Sequence, residues 1–182
     1  MIWARILLVA LAQTVALAYM IVDRQAMLNA SRVVTLKVTP VDPMDPLRGE
    51  FVILSYDISR LNTAELNGDD QFNYGDTVYV TLEKRGEDWA ATAIAHRPIA
   101  TPNSIAIKGK ISRTDQPTNA ATTLWVDYGI ESYFVPQGMG REIENERQSG
   151  NLTADIAIDQ TGRAAIKAMR RKGQVFYVEG IL

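Results

Sequence analysis

From Ile6 to Val22 the chain is almost continuously apolar. Gln13 and Thr14 are the strongly polar exceptions, and no charge falls between Arg5 and Asp23. As a helix the run spans about 25 Å at ~1.5 Å per residue, a little short of a ~30 Å hydrocarbon core. Trp3 and Tyr19 suit the two interfaces, and the long arms of Arg5 and Arg24 reach outward to water. Three readings compete: a retained anchor, a cleaved signal peptide and a buried helix. Ala16-Leu17-Ala18 has the small-x-small form of a signal exit, but the apolar run continues past it through Tyr19 to Val22. The length of the run therefore favours an anchor over residues 1–30. Positive charge is nearly balanced across the span, with Arg5 before it and Asp23, Arg24 and Arg32 after it. We expect a short cytoplasmic start and a body outside the inner membrane.

Past Ser31 the period of the pattern changes to two. Val34, Leu36 and Val38 fall on one face of a strand, with Thr35, Lys37 and Thr39 on the other. Pro40, Pro43 and Pro46 then forbid regular pairing, and Gly49 ends the loop. Glu50 to Ile58 alternates again, placing Val52, Leu54, Tyr56 and Ile58 together. Ser59 to Asn67 reads as a short helix or turn with Ser59 as its cap, and Gly68-Asp69-Asp70 as a loop. Thr77 to Glu83 and Trp89 to Ala95 make a hairpin about the Arg85-Gly86-Glu87-Asp88 turn. Strands follow around Ile105–Ile111, Leu124–Tyr128, Leu152–Ile158 and Val175–Ile181, and a short charged helix is expected at Arg141–Gln148.

Residues 163–172 satisfy two patterns. Their Ala, Lys, Met and Arg content favours helix, with Gly173 just past its end. The Asp159-Gln160-Thr161-Gly162 turn and the alternation of Ala164, Ile166 and Ala168 favour strand, which is our reading because a helix would leave the flanking strands without a near partner. Roughly nine short strands predict a mainly β chain. The expected architecture is an N-terminal transmembrane helix, then an all-β barrel or sandwich over 31–182 with one or two short helices. A weak internal likeness suggests two β units, 31–114 and 115–182.

Composition mostly excludes. With 19 basic and 21 acidic residues the chain is no broadly basic nucleic-acid binder. No cysteine and one histidine remove thiolate chemistry, Cys zinc sites and His-rich metal sites. We expect no cofactor. His96, at a strand end, reads as a surface or capping residue. Ser104 and Lys108 sit ~13 Å apart along one strand face, too far for a dyad. Asp42 and Asp45 lack the ligand density of a calcium loop. The cluster Arg163, Lys167, Arg170, Arg171 and Lys172 reads as a solvated face, with anionic lipid the alternative.

Two segments stand out. In Arg48-Gly49-Glu50-Phe51-Val52-Ile53-Leu54-Ser55-Tyr56, Gly49 allows close approach or a positive φ, and Leu54 and Tyr56 point into the core. Most of the segment is explained by strand entry. The functional alternative is a polar groove rim made by Asp42, Asp45, Arg48 and Glu50. In Tyr128-Gly129-Ile130-Glu131-Ser132-Tyr133-Phe134-Val135-Pro136-Gln137-Gly138-Met139-Gly140, Glu131 and Tyr133 share a face, and Arg141 can fold back toward Glu131. Such a pair keeps the carboxylate ionised, which suits anchoring better than general-acid work.

The first segment resembles the motif of the GDYXXLXY family. Gly49, Leu54 and Tyr56 match as they stand, with Glu50 for the Asp and Phe51 for the first Tyr. The second segment, the leading apolar run and the Pro-Val-Asp-Pro loop extend the likeness over most of the chain. The resemblance implies a bacterial, membrane-associated protein without an established activity, a companion of multi-pass membrane proteins. Candidate ligand- or partner-binding residues are Arg48, Gly49, Glu50 and Tyr56 in the first segment. In the second they are Tyr128, Gly129, Glu131, Tyr133, Pro136 and Arg141. The expected role is a non-enzymatic interaction module, its partners membrane lipid and an integral membrane protein. The alternative is an envelope hydrolase or small-ligand module built on 128–142.

Overall fold

The computed structural model describes residues 2–29, 32–39, 51–86, 88–99, 101–115, 122–134 and 152–178. The apolar run forms one helix, α1 (Ile2–Leu28), long and apolar enough to cross a membrane. Its side chains from Ile2 to Val22 are exposed on every face. Thr14 satisfies its hydroxyl by donating to the Ala10 carbonyl at 2.9 Å, as an isolated apolar helix requires.

Thirteen strands follow among the described residues: β1 (Arg32–Thr39), β2 (Phe51–Ile53), β3 (Ser55–Tyr56), β4 (Arg60–Asn62), β5 (Asn67–Gly68), β6 (Thr77–Arg85), β7 (Asp88–Ala95), β8 (Ser104–Asp115), β9 (Thr123–Asp127), β10 (Ser132–Phe134), β11 (Leu152–Ile158), β12 (Ala164–Arg171) and β13 (Gln174–Val178). They form a five-stranded sheet, β13-β12-β11-β1-β3, and a six-stranded sheet, β4-β9-β8-β6-β7-β5. A short ribbon joins β10 to β2. All pairings are antiparallel except β5 with β7. The chain is thus mainly β, as its alternation predicts.

One core lies between the sheets. Val34, Leu36 and Val38 of β1 bury their side chains, as do Val78, Val80 and Leu82 of β6. The period-two pattern drives this, because each face change moves every apolar side chain together. Strand pairing crosses the 114/115 division freely: β8 runs over it, and β1–β11, β2–β10 and β4–β9 join the two sides.

Several local readings differ. The expected strand over 50–58 is broken into β2 and β3. It then turns through a 3-10 segment, Asp57–Ser59, where Ser59 Oγ accepts from Tyr56 N at 3.1 Å. Leu54, Tyr56 and Ile58 are still buried together. Between Ser59 and Asn67 lie β4 and a second 3-10 turn, Thr63–Glu65, rather than one helix. Gly68 belongs to β5 and packs so near Ile94 O that a Cβ would stand 2.2 Å from it. Residues 164–171 are strand, because β11 and β13 flank them on both edges. The helix expected at 141–148 and the proline loop lie outside the described residues.

Candidate functional site

The two motif segments meet in the core through a pair of tyrosines. Tyr56, at the end of β3, sends its hydroxyl to the Ile130 carbonyl at 2.8 Å. Tyr128, just past β9, sends its hydroxyl to the Ile58 carbonyl at 2.7 Å. Each is buried, and that bond satisfies the one polar atom a buried tyrosine brings with it. Burial raises both phenols above their ordinary range, and the nearby Glu131 charge pushes the same way. Both therefore act as neutral hydrogen-bond donors.

Glu131 organises the turn between them. Its two carboxylate oxygens accept from the backbone N–H groups of Tyr128 and Gly129, the latter at 2.8 Å. Gly129 has φ +78°, a conformation that strains residues carrying a side chain. The Glu131 carbonyl accepts from Leu54 N at 2.7 Å, and the β2–β10 ribbon carries the pairing on from Ser132↔Ile53 to Phe134↔Phe51. The family motif segment and the second segment are thus hydrogen-bonded neighbours. Tyr133 pairs with Val52 in that ribbon.

Of the sequence candidates, Tyr56, Tyr128, Gly129 and Glu131 come together here, and Tyr133 stands next along the ribbon. Arg48, Gly49, Glu50, Pro136 and Arg141 lie outside the described residues. Glu131 spends its charge on backbone donors, an arrangement that positions a turn (charge-assisted bonds of this kind are stronger than neutral ones).

A second constellation sits at the end of α1. Arg163 donates from Nη2 to Asp23 Oδ1 at 3.0 Å and from Nη1 to Asp23 Oδ2 at 3.2 Å, a two-pronged grip. Its Nε donates to Asp159 Oδ2 at 2.8 Å. Asp159 also caps its own turn, accepting from Thr161 and from the Arg163 backbone. Partial burial opposes the shift, but these hydrogen bonds hold its carboxyl down at about 2. Met27 and Leu28 bury against Ala165 of β12 beside this grip. Sequence reasoning missed the contact. The available signal was Asp23, the first charge after the apolar run, and nothing local connects it to a residue so far along the chain.

His96 directly follows β7, at the strand end where its position suggested, and ties a loop down. Its backbone N donates to Asp69 Oδ2 at 2.9 Å, its Nδ1 lies 2.8 Å from the same oxygen, and its Nε2 lies 3.4 Å from Asp76 Oδ2. Its ring stacks on Phe72 at 5.0 Å. The Asp69 hydrogen bond raises the imidazole pKa, with Asp76 adding to it against slight desolvation. Among the described residues no group of three or more His, Cys, Asp or Glu side chains is arranged to hold a metal ion.

An exposed N-terminal apolar helix docked by its polar end on a two-sheet body, with two motif segments cross-bonded through buried tyrosines, defines the class of protein. The chain matches the model of the GDYXXLXY protein family over residues 13–169, and it belongs to that family. No curated protein and no solved structure matches it.

Proposed function

We propose that this chain is a single-pass protein of the bacterial inner membrane. Its β body stands outside the cytoplasm and acts as a non-enzymatic interaction module for an integral membrane partner. The observation that carries this reading is the fastening of α1 to the body. The helix exposes its apolar length, yet its polar end is gripped by Arg163 at Asp23 and seated through Met27 and Leu28 on Ala165. Apolar exposure on that scale calls for lipid or protein around it. A leader destined for removal has no need of a seat on the mature body. Cleavage after Ala18 would also strand Tyr19 to Val22 as an exposed apolar stub.

The non-enzymatic part is supported by how the candidate side chains are spent. Tyr56, Tyr128 and Glu131 all face backbone partners. A hydrolase built on Glu131 would need that carboxylate facing substrate. The partner class follows from the family resemblance and from the single span.

The test is fractionation of cells making the full chain. Alkaline carbonate should leave it in the membrane pellet at full mass, and protease added to spheroplasts should degrade the β body. Release by carbonate, or a mass lacking the residues before Tyr19, would overturn the anchor. Affinity purification from detergent-solubilised membranes should recover one stoichiometric multi-pass protein. A clean monomer that turns over an envelope substrate and loses turnover on Glu131→Gln would overturn the module.

A further inference from the structure

A groove runs beside the seat of α1. Its inner hollow, about 510 Å³, lies between the Asp159–Gly162 turn, Pro98 and Ile99, and the β6 and β8 residues Tyr79, Ser104 and Ala106. An outer hollow of about 900 Å³, walled by Trp89, Ile105, Glu83 and Lys84, adjoins it. Arg32 and Ser104 line both. The turn that walls the inner hollow carries Asp159, whose partner Arg163 grips Asp23 where the apolar run ends. With α1 in a bilayer, the groove therefore lies at headgroup level.

The groove holds unspent donors. Arg163 is committed to Asp23 and Asp159, and Arg170 to Asp155. Arg32 has no ion-pair partner among the described residues, nor has the Tyr79 hydroxyl a hydrogen-bond partner there. A guanidinium offers a forked donor set that matches phosphate oxygens. Asp159 in the inner hollow is committed to Arg163 and Thr161, whereas Glu83 in the outer hollow, beside Lys84, has no ion-pair partner among the described residues. An uncommitted cation and an uncommitted carboxylate in one groove suit a ligand that carries both signs, the carboxylate working against a purely anionic one. The apolar walls, Ile99 and Pro98 inside and Trp89 and Ile105 outside, suit a glycerol backbone and the start of acyl chains.

We propose that this groove binds the headgroup of a zwitterionic glycerophospholipid, its phosphodiester on Arg32 and Tyr79 and its ammonium toward Glu83. This rests on the membrane reading above, because the lipid is supplied by the bilayer that α1 enters. A lipid held there fixes the height and tilt of the body over the membrane.

The test is native mass spectrometry of the full-length protein released from detergent. It is loaded with phosphatidylethanolamine, phosphatidylglycerol or diacylglycerol of the same acyl chains. Phosphatidylethanolamine should bind best, and soluble phosphoethanolamine should displace it. Arg32→Gln should lower occupancy about tenfold, as for loss of a charge-assisted phosphate contact, and Tyr79→Phe by less. Lys172→Gln, which removes one positive charge at the far end of β12, should change nothing. Diacylglycerol binding as well as phosphatidylethanolamine would overturn the site, as would tighter phosphatidylglycerol binding or full occupancy in a folded R32Q. So would binding of soluble phosphoethanolamine without any intact lipid. If circular dichroism shows R32Q unfolded, the Tyr79→Phe series and the displacement arm decide alone. Failure of the anchor reads out separately, as carbonate release of a chain whose lipid binding still depends on Arg32.

Discussion

Tyr56 and Tyr128 are bonded reciprocally: each hydroxyl donates to the carbonyl of the isoleucine two positions beyond the other tyrosine, Ile130 at 2.8 Å and Ile58 at 2.7 Å. The two motif segments share the repeated pattern Tyr-x-Ile, and the core joins them through it. Tyr56→Phe or Tyr128→Phe keeps the ring and orphans a buried carbonyl. Each should cost about 1–2 kcal/mol in urea unfolding. The double variant should depart from additivity, since both bonds brace one patch. Loss of a single bond with no change in midpoint would contradict the role given to the pair.

Gly109 lies under the same patch. A Cβ there would stand 2.4 Å from a Val126 methyl and 3.0 Å from the Tyr128 ring. Gly109→Ala should destabilise by about 1–3 kcal/mol through overpacking. It should also speed hydrogen exchange at Gly129 N, because Tyr128 must shift. A neutral effect on both would show that β8 and β9 part easily.

Glu131 acts as a turn cap in the manner of a helix-capping carboxylate. Glu131→Ala should cost about 1 kcal/mol, and Glu131→Gln should recover part of that, since one amide oxygen still accepts. Amide exchange at Tyr128 and Gly129 reads this locally. Unchanged protection in E131A would remove the capping role.

The grip of Arg163 on Asp23 sets the attitude of α1 against the body. Asp23→Asn should loosen the helix with little loss of global stability, because exposed pairs contribute at most ~1 kcal/mol. Spin labels on Met20 and Lys167 should then give a broader distance distribution. The swap of Asp23→Arg with Arg163→Asp should narrow it again.

His96 predicts a pH effect of definite sign. Its pKa is raised in the folded state by Asp69 and Asp76, so its contribution is complete below the unfolded value of about 6.5. The contribution is lost as pH climbs through the folded value. The Tm should fall by about 2 °C or less above pH 6.5, the scale of an exposed pair in a chain of this size. His96→Gln should abolish the slope. A Tm that rises over this window would reverse the assignment.

The strand character of residues 163–172 shows where local reading succeeds. Composition there favours helix, yet the turn at Asp159–Gly162 and the alternation of Ala164, Ile166 and Ala168 point to the hairpin that forms. Alternation is decisive because it reports which face is buried, whereas propensity is a small term that tertiary packing outweighs. The broken strand at 51–58 shows where it fails. Alternation placed Leu54, Tyr56 and Ile58 on one side correctly, but the kink exists because Tyr56 must reach Ile130 while Leu54 N reaches Glu131 O. Neither partner is near in sequence.

By itself the sequence determined the apolar helix, the mainly β body, the buried face of each long strand and the family, because these depend on periodicity and on short motifs carried by neighbouring residues. Only the tertiary structure decided that Tyr56 and Tyr128 interlock, that Glu131 serves a turn and that Asp23 meets Arg163 across most of the chain's length. Those contacts are chosen by sheet order and register, which arise from the packing of distant strands around one core.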